Sequence, residues 1–205
     1  MRVLQVMAGA EFGGAEAFFT RLVVALRRAG LHQRVIIRRN ESRAAILRQG
    51  GIEPVEFSFG GPLDILTRMG LKREVGSFSP HIVMTWMNRA SAMCPKGNFV
   101  HVARLGGYYD LKYYQKCNHL IGNTQDIVGH LIDKGWPAER THYLPNFVSA
   151  SIADPLPREE FYTPNDAPLL LALGRLHENK AFDVLLDALA RIPDTYLWLA
   201  GEGPK

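Results

Sequence analysis

Leu169-Leu170-Leu171-Ala172-Leu173-Gly174-Arg175-Leu176-His177-Glu178-Asn179-Lys180 is the stretch on which the fold turns. Its first five residues form an unbroken apolar run after Pro164 and Pro168, which reads as a strand buried on both faces of a parallel sheet. Gly174 ends the run, and the helix-patterned Phe182-Asp183-Val184-Leu185-Leu186-Asp187-Ala188-Leu189 follows. Arg175 and Lys180 therefore fall in a strand-to-helix loop. In doubly wound folds such a loop faces the ligand crevice, where two fixed cations can neutralise a diphosphate without a metal. Taken alone, the pair reads equally well as two solvated loop charges.

Upstream, strand and helix patterns alternate in the same way. Met1 to Met7 reads as a strand, too short for the apolar core of a signal peptide, and Ala8-Gly9-Ala10-Glu11-Phe12-Gly13-Gly14 as a small-residue turn opening a helix. Phe18, Phe19, Leu22, Val23 and Leu26 give that helix its apolar stripe up to about Arg28, and Gly30 stops it. Val35 to Ile37 and Glu53 to Phe57 read as strands around a short helix, Ala44 to Gln49. Pro62 to Phe78 follows a helical pattern broken by Gly70. His81 to Thr85, Asn98 to Ala103, Asn118 to Thr124 and Thr141 to Asn146 complete the strand pattern, with a helix from Gln125 to Lys134. This alternation predicts an α/β fold with a parallel sheet.

From Ser151 to Pro168 prolines and charges replace apolar periodicity, which predicts an interdomain linker between a first domain, residues 1–150, and a second that begins at 169. Only about 40 residues follow the linker, where a domain needs on the order of 100, so the second domain is expected to be cut short at 205.

Composition narrows the function. The chain has 205 residues, 47% of them hydrophobic, and a net charge of +4. Nine arginines stand against three glutamates through Arg48, so the first quarter holds more than the whole excess. That bias suits an anionic membrane surface or an acidic acceptor; nucleic acid is disfavoured because no aromatics interleave with the cations. Cys94 and Cys117 form no disulfide framework, which fits a reducing compartment, so a cytoplasmic location is expected. No run of about 18 apolar residues spans a bilayer. The seven histidines are scattered without ligand spacing, and no Asp-x-Asp pair occurs, so no metal or other cofactor is expected. A dinucleotide-dependent oxidoreductase would need Gly-x-Gly-x-x-Gly after the first strand and an acidic end to the second; Gly9-Ala10-Glu11-Phe12-Gly13-Gly14 and Arg38-Arg39-Asn40 fail both. A noncatalytic binding module is the remaining alternative.

Gly13-Gly14-Ala15-Glu16, Pro145-Asn146, Gly174 to Lys180 and Gly201-Glu202-Gly203-Pro204, in that order, resemble family 4 retaining glycosyltransferases. The segments Arg104 to Tyr114 and Cys117 to Thr124 look like those of transferases acting on lipopolysaccharide or other envelope glycans. The resemblance implies the GT-B fold of two facing Rossmann-like domains and transfer of a sugar from a UDP- or GDP-linked donor to a glycan or lipid-linked acceptor. It implies a protein seated peripherally on the inner face of the cell membrane. Arg175 and Lys180 would hold the donor diphosphate and stabilise the departing nucleotide. Gly13 and Gly14 would let the backbone approach phosphates or acceptor, Glu16 would face acceptor or sugar hydroxyls, and Asn123 and Asn146 would join the donor or acceptor site.

The chain departs from that family in three places. Ala181 stands where relatives carry glycine. The strand that ends in a sugar-contacting histidine elsewhere ends here in Arg104-Leu105-Gly106-Gly107, so His101 reads as a packed strand residue, and Tyr108, Tyr109 and Asp110 are expected to line the cleft instead. The family's paired glutamates are absent at their spacing, so the chain as it stands is expected to catalyse poorly while retaining acceptor binding.

Overall fold

The computed structural model describes residues 1–61, 63–148 and 153–204. Contacts divide the chain into two units, Met1–Ser149 and Ala150–Lys205. The expectations on Pro62, on Ser151 and Ile152 at the head of the linker, and on Lys205 lie outside the described residues.

In the first unit, β1 (Arg2–Met7), β2 (His32–Arg38), β3 (Val55–Phe57), β4 (Ile82–Trp86), β5 (Val100–Leu105), β6 (His119–Gly122) and β7 (Thr141–Tyr143) form one sheet in the order β3-β2-β1-β4-β5-β6-β7. Every neighbouring pair is parallel. The chain runs outward from β1 through β2 to β3, returns to β4, then runs outward on the other side. The crevice beyond the carboxyl ends of β1 and β4 is thus the topological switch point, where open α/β sheets bind ligands.

Alternate side chains of the central strands enter opposite faces. Leu4, Val6, Ile36 and Val83 pack with Leu71 and Phe78 of α3 (Ile65–Phe78) and Ala90 of α4 (Met87–Met93). Met7, Val35, Ile37 and Trp86 pack with Phe18, Phe19 and Val23 of α1 (Gly14–Arg28) and Ala44 and Leu47 of α2 (Glu41–Gln49). The period of two along strands buried on both sides produces three layers. A third cluster joins Leu105 and Leu120 to Ile127 and Leu131 of α5 (Gln125–Asp133). Asn40 caps α2 by accepting from Arg43 N–H at 2.8 Å, and Thr124 caps α5 by accepting from Ile127 N–H at 3.1 Å.

Three features depart from the sequence reading. Helix α4 carried no capping or stripe signal; it forms because Ala90, Ser91 and Met93 bury against the sheet. The stretch expected as a linker is, from Arg158 on, in contact with the rest of the second unit. There the Phe161 ring lies 4.7 Å from that of Trp198, Trp198 Nε1 donates to Thr163 Oγ1 at 2.9 Å, and Arg158 donates to the Ala167 carbonyl at 2.7 Å. Leu169–Leu173 does form a strand, β8, parallel to β9 (Tyr196–Ala200), but it is not buried: Leu171 is 61% and Leu173 70% exposed. Among the described residues β8 has only β9 beside it in the sheet, and α6 (Phe182–Leu189) follows, too few elements to cover both faces of the strand.

His101 is a core residue, as its place in mid-strand implied. It is 3% exposed, its Nε2 lies 2.9 Å from Thr85 Oγ1, and its N–H donates to Asn118 Oδ1 at 2.8 Å. Burial pushes its pKa from 6.5 down to about 4. The unfolded chain therefore takes up this proton before the folded one, and stability falls as pH drops from 6.5 toward 4. Urea unfolding is expected to show that loss at up to ~1.4 kcal/mol per pH unit, and His101→Gln to flatten the slope.

Candidate functional site

The loop between β1 and α1 is built around a buried carboxylate. Glu16 is 6% exposed, and its Oε1 accepts from Ala10 N–H at 2.7 Å. A Cβ at Gly9 or Gly13 would fall on the Glu16 carboxylate oxygens, so both glycines make room for it. The loop is fastened from the other side by Arg43, whose Nη2 donates to the carbonyls of Ala10 at 2.7 Å and Glu11 at 3.0 Å. Arg43 Nη1 is buried without a partner, and burial lowers the guanidinium pKa.

The loop's rigidity leaves the start of α1 open. Gly13 is an extended N-cap with no side-chain hydrogen bond, and Ala17 N–H is the first to find a backbone acceptor, Gly13 O at 3.0 Å. A Cβ at Gly14 would meet nothing within 4 Å. Exposed N–H groups at the head of a fifteen-residue helix favour an anion. A cavity of about 440 Å³ lies here, lined by Phe12, Gly13, Glu16, Arg43 and Ile46 among others.

Arg104, at the end of β5, organises the same edge of the sheet. It is 2% exposed, and its guanidinium carbon lies 4.4 Å from the centre of the Phe18 ring and 5.0 Å from that of Trp86. Its Nη2 donates to the Leu144 carbonyl at 3.1 Å and to Asn146 Oδ1 at 2.7 Å. Burial lowers its pKa to about 10, which leaves it a cation at neutral pH. Asn146, expected at the binding site, is thereby held, while Asn123 leaves its buried Oδ1 unpartnered near Gly106. Tyr108 and Asp110 share a cavity of about 400 Å³ with His130. The Tyr108 hydroxyl donates to the Asp126 carboxylate, which raises its pKa, and Lys112 at 2.8 Å lowers that of Asp110.

In the second unit the two expected cations sit in one loop system. Gly174 N–H donates to the Ala200 carbonyl and Leu176 N–H to that of Glu202, both at 3.0 Å. A Cβ at Gly201 or Gly203 would strike the backbone of Gly174 or Leu176, so these glycines allow two loops to run side by side. Arg175 stands exposed between those two bonds. Lys180 closes a 3₁₀ turn, Glu178–Lys180, and its stem lies 3.8 Å from where a Gly174 Cβ would be. Neither forms an ion pair among the described residues. Ala181, the departure noted in the sequence, has φ 50°, a left-handed conformation that favours glycine.

Sequence reasoning missed two residues. Arg104 ends an apolar strand, a signal that was visible. Arg43 lies within a helix, and nothing in sequence marks it as reaching Ala10. Met87, φ 69° at the end of β4, is a third mark of the switch point, since a non-glycine residue there stores strain.

No family model matches the chain. Anabaena Alr3699/HepE, solved in complex with UDP and glucose, superposes with a TM-score of 0.79 at 18% identity, covering 99% of this chain and 61% of that one. A glycosyltransferase from Rickettsia africae ESF-5 gives 0.79 at 20% identity, covering 98% and 60%. Its fold is that of the GT-B glycosyltransferases. This GT-B chain is also 32% identical, over its whole length, to the lipopolysaccharide core biosynthesis glycosyltransferase LpsD of Rhizobium meliloti (strain 1021). Over 94% of its length it is 34% identical to LpsE of the same strain. It spans 60% and 57% of the length of those two proteins.

Arg104→Met keeps most of the stem but removes the charge and both acceptors' donor. Chemical denaturation is expected to show a loss of about 2–3 kcal/mol, with Arg104→Lys recovering only part of it.

Proposed function

We propose that the chain supplies the acceptor-side domain and the start of the donor-binding domain of a glycosyltransferase acting in lipopolysaccharide core or related envelope glycan synthesis. The observation that carries this is identity of 32–34% along the chain to two lipopolysaccharide core glycosyltransferases. HepE, of the same fold, was solved with UDP and glucose, which supports a nucleotide-sugar donor here.

The chemistry follows from the residues. As the bond from the anomeric carbon to the diphosphate oxygen breaks, negative charge grows on the departing nucleotide. Arg175 and Lys180 would stabilise that charge more in the transition state than in the bound donor, which lowers the barrier. Two such cations do the work that a bound metal does elsewhere, so transfer is expected to proceed without one. The open head of α1 would receive an anionic or hydroxyl-rich group, with Gly14 allowing close approach. Retention of anomeric configuration, a hexose as the transferred sugar, a lipid-linked or glycan acceptor and a cytoplasmic-face location complete this reading. No helix among the described residues is long and apolar enough to cross a membrane.

Calorimetric titration with UDP- and GDP-sugars tests the assignment. Arg175→Ala with Lys180→Ala is expected to weaken binding at least about tenfold and to leave the melting temperature unchanged; unaltered affinity would remove the roles given to both. Gly14→Ala separates structure from function at the other loop. Alanine suits a helix better by about 0.5–1 kcal/mol, so the variant is expected to be as stable or more so, yet weaker in ligand binding or turnover.

A further inference from the structure

We infer that the cavity between the loop leaving β5 and the outer side of α5 is a subsite for a neutral sugar ring of the acceptor, adjacent to the ring that reacts. The inference rests on the sugar-transfer reading only in calling that sugar part of an acceptor. The cavity holds about 400 Å³, within the size range of small-ligand sites, and its lining belongs wholly to the first unit. Tyr108 and Asp110 line it from the loop, His130 and Lys134 from α5 and its end. Asp126 precedes His130 by four residues, so the two are neighbours on one side of the helix. The Tyr108 hydroxyl donates to the Asp126 carboxylate, and the Tyr108 and His130 rings meet at 83° with their centres 5.1 Å apart. Restrained by both contacts, Tyr108 is nevertheless 64% exposed.

These groups match a pyranose. One face of such a ring carries C–H groups that pack on an aromatic surface, and its rim carries hydroxyls that need both donors and acceptors once water leaves. A tyrosine already restrained supplies the surface at little entropic cost. Asp110 and Asp126 accept, Lys134 donates, and the His130 imidazole offers one nitrogen of each kind when neutral. Charge argues against an anionic occupant. Asp110 is paired with Lys112 at 2.8 Å, and the remaining Lys134 is outweighed by Asp126 and Asp133 on α5. No positive excess is left to hold a phosphate.

The position suits a second ring of a bound glycan. All strands of the first unit are parallel, so the loop after β5 and the head of α5 after β6 lie at the same end of the sheet as the Gly13-Gly14 turn after β1. Tyr109, which also lines the cavity, reaches back to the switch point, where its hydroxyl donates to Met87 Sδ at 3.7 Å. A glycan with its reacting ring in the crevice would run past Tyr109 and lay its next ring on Tyr108.

Saturation-transfer NMR on the chain with methyl glucoside, methyl galactoside, cellobiose and lactose is the first measurement. Transfer to the sugar C–H protons is expected, together with shifts of the His130 imidazole signals on titration. Tyr108→Ala is expected to weaken binding about tenfold without lowering the melting temperature, and Tyr108→Phe, which keeps the ring, to retain most of it. Asp126→Asn with His130→Ala is expected to weaken binding while the fold persists. Sugar binding that Tyr108→Ala leaves unaltered overturns the proposal, as does absence of transfer to all four sugars. Tighter, salt-sensitive binding of glucose phosphate than of methyl glucoside overturns the assignment to a neutral sugar. These readouts need no nucleotide, so a failure of the roles given to Arg175 and Lys180 would show in the donor titration and leave them unmoved.

Discussion

A buried cation laid against two neighbouring aromatic rings constrains the edge of the first unit where its sheet strands end. Taking a guanidinium out of water costs several kcal/mol unless the site answers it. At Arg104 the answer comes from four groups on three segments: Phe18 on α1, Trp86 on β4, and the Leu144 carbonyl and Asn146 amide beyond β7. Trp86 is fixed in turn, its Nε1 donating to Gln5 Oε1 on β1 at 3.0 Å and its ring 5.2 Å from that of Phe19. Phe147 closes the arrangement edge-on to Phe18 at 4.9 Å. The strands, the first helix and the segment leaving the sheet are thus held in one geometry by contacts to a single side chain and its neighbours.

Both loop systems rely on backbone that approaches other groups more closely than a side chain would allow. In the first unit Gly9 and Gly13 leave room for Glu16, whose carboxylate holds one peptide N–H while Arg43 holds two carbonyls. In the second, Gly201 and Gly203 leave room for the loop carrying Arg175. The same physical need explains glycines that a sequence reader connects with ligand approach. Gly14 differs, because no protein atom requires it. That contrast separates a glycine kept open for the protein's own packing from one whose space remains available.

Much of the fold was legible because parallel strands buried on both faces are continuous apolar runs, as in β1, β2 and β4. Helix α1 announced itself through its apolar stripe and the glycine that stops it. The same logic failed at Leu169–Leu173, where an apolar run signals a buried strand only if further layers cover it. It missed the packing within Arg158–Pro168, where prolines and charges looked like a linker. Thr163 and Phe161 pack there on Trp198, a residue far along the chain. Helix α4 was invisible because burial against the sheet, and not its own residues, sustains it.

Local chemistry along the chain was enough to specify the alternation of strands and helices, the cationic loop after Leu173 and the glycine turn before Ala15, since each depends on residues close in sequence. Tertiary structure alone decided that Glu16 turns back on its own loop, that Arg43 and Arg104 are buried fasteners, and that Tyr108 lies against Asp126 and His130 of α5. Each of those outcomes depends on which distant groups surround a side chain, and burial, unlike periodicity, is a property of the assembled fold.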